Sequence, residues 1–321
     1  MLNIISQELF YYQKFLYNKD NKIIKGGNQL NKNKNISTFS IVARDPETGE
    51  LGIAVQSKFL AVGAVVPWAK ANVGAIATQA NANLDYGEVG LKLLAKGYTA
   101  HQTLEALLTL DDDNVGRQVG IVDCKGNSAA YTGPACFDWA GHICCENFTC
   151  QGNILVSKET VKAMAETFEK SEGKLPERLL EALDAAQNAG GDKRGRQSAS
   201  LLIVKEGGSY GGYNDRMIDL RVDDNPQPIK KLKNLLYLRR LYFDKPDEKD
   251  IKEVGEDLGK TIQTALQKLG YYKGEINGVF DDPTQKAYFE FTSVENFEER
   301  RLNGNRVDKK VIDFMLDMID K

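Results

Sequence analysis

Between Thr38 and Ser57 the chain reads TFSIVARDPETGELGIAVQS, a pattern that few folds admit. Apolar and polar residues alternate through TFSIVARD and again through LGIAVQS, the period of a strand with one face buried. PETGE between them, with Pro46 and Gly49, is a turn, so the stretch is a β-hairpin. The runs that follow, AVGAVVPWA and NVGAIATQA, are small and apolar and predict strands buried on both faces. A sheet of that kind needs cover. The next segments supply it, with a helix over roughly Tyr86 to Ala95 ended by Gly97, and a second that opens at Thr99 and runs to Leu110. Thr99 and Gln102 have the spacing of a capping box.

RQVGIVD, the turn CKGN and SAAYTG predict a second hairpin, and HICCENFTCQGNILV further strand. Ser157 is placed to cap a helix from Lys158 to about Glu169, and LPERLLEALDAAQNAG is another. SASLLIVK and RMIDLRVDD return to strand, joined by the glycine-rich GGSYGGYND, before Pro226 and Pro228 close the domain. Strands, two helices, strands, two helices and strands in that order predict an α+β fold. Two sheets with helices outside them suit the order better than alternating βα units do. KKLKNLLYLRRLYF is a basic amphipathic helix whose leucines are expected to pack on this domain, and a small helical domain begins beyond Pro246.

With 321 residues, 42% of them hydrophobic and 27% charged, the chain can bury a core without metals or disulfides. A net charge of -3 gives no reason to expect nucleic acid or an anionic membrane as partner. No run of eighteen apolar residues is present, and Gln7, Glu8 and Gln13 interrupt what a signal peptide would need. Five clustered cysteines without a framework spacing suit reduced thiols, so a cytoplasmic location is expected. Cys136, His142, Cys144, Cys145 and Cys150 lack the paired C-x2-C knuckles of a zinc site; neither a metal nor a cofactor is expected. Residues 1–36 read as an extension: a short amphipathic helix to about Tyr17, then an Asn/Lys-rich linker.

TFSIVARDPETGELGIAVQS, VGAVVPWAKANVGAIATQA, TGPACFDWAGH, QGN, GGDKRGRQSASLLIV and DLRVDD together resemble a prokaryotic family, domain of unknown function 1028. The resemblance implies an N-terminal-nucleophile hydrolase-like domain over 37–240, a four-layer αββα sandwich. In such enzymes the first residue is Thr, Ser or Cys. Its side chain attacks an amide carbonyl and its own α-amine is the base, because an α-amine has a pKa of roughly 7.7–8.0 and is partly neutral near pH 7. Members begin at or just before TFSIV, which puts Thr38 in that place. Here Thr38 follows Ser37 and no Met stands just before it, so the Ser37–Thr38 bond would have to be cut or translation start elsewhere. The proteasome-like pattern also implies a polar pair on the second strand, here Gln56 and Ser57, and a lysine about thirty residues on, here Lys70. Gln56 stands where an acidic residue is usual.

Three further stretches are candidates for binding. ATQANAN ends a buried strand, and Gln79 or Asn81 would either donate to an oxyanion or satisfy the turn. Asn153, opening after QG, would bind substrate or backbone. GGDKRGRQS is the most site-like loop. Gly190, Gly191 and Gly195 permit close approach, and Gln197 and Ser198 lead into the fold. Arg194 and Arg196 would either recognise an acidic group on the substrate or pair with Asp219, Asp223 or Asp224. The loop lacks P-loop spacing.

IQTALQKLGYY, GEING and PTQKAYFEF resemble the peptidoglycan-binding repeat of wall hydrolases, and imply a small helical domain over 250–321. Ile262, Leu266, Leu269, Ala287, Phe291 and Phe314 are its expected core, and Tyr271, Tyr272 and Asn277 the expected lining of a groove for a wall fragment. The expected function is an amidohydrolase acting on a small amide or peptide-like substrate with an acidic group; the alternative is a non-catalytic binder of a small ligand or wall fragment. A homo-oligomer is expected in either case.

Overall fold

The computed structural model describes residues 38–320; the extension expected over 1–36 lies outside them. The described residues form twelve strands and eight α-helices in alternating blocks. β1 (Thr38–Arg44) and β2 (Leu51–Ser57) form the expected hairpin, followed by β3 (Pro67–Lys70), β4 (Gly74–Ala80), α1 (Asp85–Ala95) and α2 (Ala100–Thr109). β5 (Arg117–Asp123), β6 (Ser128–Thr132), β7 (Gly141–Cys145) and β8 (Phe148–Asn153) come next, then α3 (Glu159–Lys170) and α4 (Leu175–Asn188). β9 (Ser198–Val204) and β10 (Arg216–Val222) lead to α5 (Pro228–Phe243). The Thr99–Gln102 capping box forms as the spacing predicts. One expected strand does not: Val62–Ala64 is a 3-10 turn, and only Pro67–Lys70 of that run extends. The run turns because Gly63 lies against β9, where a Cβ would stand 2.7 Å from the Cβ of Ser200.

The first ten strands form two antiparallel sheets, a six-stranded one in the order β10-β9-β2-β1-β8-β7 and a four-stranded one in the order β3-β4-β5-β6. α1 packs on β3 and β4 and α2 on β5 and β6, while α3 packs on β7 and β8 and α4 on β1, β2 and β9. β1 lies against β4 and β5, and β8 against β5 and β6, so the sheets face one another. Alternation then assigns every β1 residue a side. Val42, Leu51, Ile53 and Val55 join Ala75, Ala77 and Val122 in an apolar cluster between the sheets. Gly52 points the other way, where its missing side chain lets Leu179 of α4 approach to 2.6 Å from an ideal Cβ position.

The chain divides into two compact units between Lys233 and Asn234, within α5. The second unit holds β11 (Ile251–Glu253), α6 (Glu256–Lys268), α7 (Asp282–Val294), β12 (Arg306–Asp308) and α8 (Lys309–Ile319). Ile262, Leu266, Ala287 and Phe291 are in its buried core, with Leu269 and Phe314 packed against them. No helix of the described residues is long and apolar enough to cross a membrane.

Candidate functional site

Strand register gathers the polar residues at one end of both sheets. Across the larger sheet Ser198, Ser57, Thr38 and Asn153 stand in a row, because Ser57 pairs with both Ser198 and Thr38, and Thr38 with Asn153. Across the smaller sheet Gln79, Gln118 and Thr132 form the facing row. All but Thr132 are buried. Thr38 Oγ1 donates to Ser57 Oγ at 3.2 Å. Gln79 Nε2 donates to the Thr38 carbonyl at 3.4 Å and to Gln118 Oε1 at 2.8 Å, and Asn153 Nδ2 donates to Gln118 Oε1 at 2.8 Å. Gln118 Nε2 in turn donates to Gly152 O at 2.7 Å and Thr132 Oγ1 at 2.9 Å. One layer deeper, Ser40 Oγ donates to Gln79 Oε1 at 2.6 Å and accepts from Gln151 Nε2 at 2.7 Å. The result is a polar network joining the two sheets, with Thr38 at its end and His142 Nδ1 hydrogen-bonded to Thr132 Oγ1 at 2.9 Å. Burial lowers the pKa of His142 and favours its neutral form.

Of the residues read from sequence, Thr38, Ser57, Gln79, Asn153 and Ser198 come together here. Gln56 does not. It pairs with Phe39 on the opposite face of the sheet, and both polar atoms of its fully buried side chain have no hydrogen-bond partner. Lys70 does not either. It pairs with Gly74, five residues from Gln79, and thus about 16 Å along β4 from the end where Thr38 lies. Asn81 N donates to Gly116 O, and Arg117 Nη1 donates to Asn81 O at 2.7 Å, so its backbone serves the turn. Ser198 Oγ is committed to Phe59 O and Val62 N, and Gln197 bridges to Ser57 O and to Asp224.

The GGDKRGRQS loop is organised by a residue that sequence reasoning passed over. Asp192 is buried, its carboxylate accepting from Lys58 N and Arg194 N, each at 2.8 Å, and pairing with the Arg194 guanidinium at 3.2 Å. Arg194 is therefore matched within its own loop, not by Asp219, which binds Arg216 and Arg221. Arg196 is exposed and has no carboxylate partner among the described residues. Gly190, Gly191 and Gly195 all have positive φ, so the loop does require glycine. Two non-glycine residues at these strand ends share that region, Ala80 at φ 63° and Ile154 at φ 49°. For a β-branched residue this is strain of the kind that functional sites hold. Gln118, Gln151 and Thr132 were also missed; their one signal is a polar residue on the inward face of a strand.

Among the described residues no group of three or more His, Cys, Asp or Glu is placed to hold a metal ion. In the second unit, Tyr272 Oη donates to Glu275 O at 3.0 Å, Tyr271 sets its ring edge-on to Phe291 at 5.6 Å, and Asn277 Oδ1 accepts from Val279 N. They close a loop over the core and do not line the cavity between α7 and residues 301–306.

Residues 38–232 match a family model described as "Family of unknown function (DUF1028)", and residues 242–315 one described as "Putative peptidoglycan binding domain". Among solved structures the chain is similar to protein SPO2555 from Silicibacter pomeroyi, described under the same DUF1028 model. Identity is 32%, over 64% of this chain and 86% of that one, with a TM-score of 0.59. It also aligns with Anbu (ancestral beta-subunit) from Yersinia bercovieri at 9% identity, over 62% of this chain and 96% of that one, with a TM-score of 0.29. No curated protein matches the chain.

Proposed function

The chain belongs to the family of unknown function DUF1028, with a peptidoglycan-binding-like domain after it, and from that premise we propose that its first unit hydrolyses amide bonds. On this reading the two facing sheets and their helix pairs are the four-layer αββα arrangement of N-terminal-nucleophile hydrolases, and activity begins when the chain is cut before Thr38. The observation that carries the reading is the position of Thr38. It heads a central strand, it is the first residue of the family match, and its hydroxyl meets Ser57 at 3.2 Å.

Cleavage gives Thr38 an α-amine with a pKa of roughly 7.7–8.0, neutral often enough to take the hydroxyl proton. The oxygen then attacks the substrate carbonyl, the leaving amine receives the proton, and water hydrolyses the resulting ester. Ser57 holds the hydroxyl. Gln79, bonded to the Thr38 carbonyl, and Asn153, beside it in the row, fix the strand end against the facing sheet. Arg196 is the candidate anchor for an acidic group on a small amide or peptide-like substrate. Gln56 and Lys70 have no part.

A chain beginning at Thr38 should turn over a member of a panel of acyl amino acids and small amides, and Thr38→Ala in that chain should lose all of it. Equal turnover by a chain whose Ser37–Thr38 bond is intact would reject the mechanism. One observation favours a second reading, a non-catalytic binder: Thr38 has no exposed surface. That reading predicts ligand-dependent stabilisation without turnover, unchanged by Thr38→Ala.

A further inference from the structure

Apart from amide hydrolysis, the second unit presents a cavity of about 410 Å³ between α7 and residues 301–306, within the size range of small-molecule sites. Lys286, Arg301 and Arg306 line it, and no acidic residue does. The arginines of this unit divide cleanly. Arg239 and Arg240 pair with Asp244, and Arg300 is buried against Asp308. The remaining two, Arg301 and Arg306, have no carboxylate partner among the described residues, and both face this cavity.

Arg301 is held in place by neutral groups alone. Its Nε donates to Thr292 Oγ1 at 3.0 Å, its Nη2 bonds Ser293 Oγ, and its guanidinium lies 3.9 Å over the ring of Phe289. That fixes a positive charge without neutralising it. Arg306 donates only to Asn303 O, at 3.4 Å; Glu253 stands opposite it across β11 and β12, yet no ion pair joins them. Lys286 is exposed and likewise has no carboxylate partner. The phenol oxygen of Tyr288, a lining residue with 8% of its surface exposed, has no hydrogen-bond partner. A buried hydroxyl of that kind is costly unless something bonds it. Phe280 and Phe289 give the cavity apolar walls.

We propose that this cavity binds a small peptide-like ligand through its carboxylate. Arg301 and Arg306 receive the anion, Lys286 adds charge at the mouth, and the phenylalanine rings take the apolar group beside the carboxylate. A carboxylate suits planar guanidinium donors better than it suits ammonium alone.

The test is calorimetric titration of the full chain with N-acetyl-Ala-Ala, with its C-terminal amide, and with inorganic phosphate. The free acid should bind saturably and the amide about tenfold or more weaker, since it lacks the charge that the cations recognise. Lys286→Gln and Arg306→Gln, both at exposed positions, should each weaken the acid roughly two- to fivefold. Far-ultraviolet circular dichroism melts of both variants check that the unit stays folded. Equal binding of acid and amide, tighter binding of phosphate than of the acid, no heat from the acid, or an unaltered affinity in the Lys286→Gln/Arg306→Gln double variant would each overturn the proposal.

Discussion

Gln56 and Gln118 both have no exposed surface, yet their surroundings differ in kind. Gln118 spends its amide on Gly152 O and Thr132 Oγ1 and receives Gln79 and Asn153. Gln56 leaves both polar atoms without a partner. An unmade buried hydrogen bond costs about 1–3 kcal/mol, so Gln56→Leu is expected to stabilise the first unit by about 1 kcal/mol. Gln118→Leu takes a partner from two donors, Gln79 and Asn153, and from three acceptors, Gly152 O, Thr132 Oγ1 and Gly141 O, and should cost about 3 kcal/mol or more. Urea unfolding midpoints of the two variants should therefore move in opposite directions. The family resemblance pointed to Thr38 and Ser57, which the hairpin register sets opposite each other. It did not reveal Gln118, whose place before VGIVD reads as a polar strand end. The Lys70 expectation failed because distance counted along the chain ignores which end of a strand a residue occupies. Asp192 stayed hidden between Gly191 and Lys193, its meaning visible only when the Lys58 amide arrives from the end of β2.

At the scale of elements, the hairpins, capping box and helix pairs followed from turn residues and periodicity. The run before Pro67 did not, since small apolar residues suit a buried turn as well as a strand. A contact between elements that no periodicity announces is the pair Asp111–Arg117, which ties the end of α2 to the start of β5 at 2.8 Å with both side chains largely buried. Burial alone would push the Asp111 carboxyl up. Hydrogen bonds from Arg117 and Asn83 outweigh it and hold the pKa down to about 2. Between the unfolded value near 3.8 and that value the unfolded chain binds more protons. The contribution is therefore complete above about pH 4 and lost as pH falls through about 2. Acidifying from pH 5 to pH 2 should cost the protein about 2 kcal/mol more than it costs Asp111→Asn, measured by urea unfolding at each pH.

For the whole molecule, the two compact units part inside α5, whose Leu241 belongs to the second core. The described hydrophobic clusters of the first unit share no member with that core. Separate cores predict separate melting. Gly259 of α6 offers a way to perturb one of them, since a Cβ there would stand 2.1 Å from the carbonyl oxygen of Gly278, a backbone atom that cannot swing aside. Gly→Ala in a helix normally gains up to about 1 kcal/mol, but overpacking against backbone costs about 1–3 kcal/mol or more, so Gly259→Ala should destabilise by about 2 kcal/mol. In a unit this small that lowers the midpoint by about 10 °C. Differential scanning calorimetry should then show two transitions, of which Gly259→Ala moves one and leaves the other in place. A single transition displaced as a whole would mean that the two cores melt together. In that case α5, continuous through the boundary, would be the element that couples them.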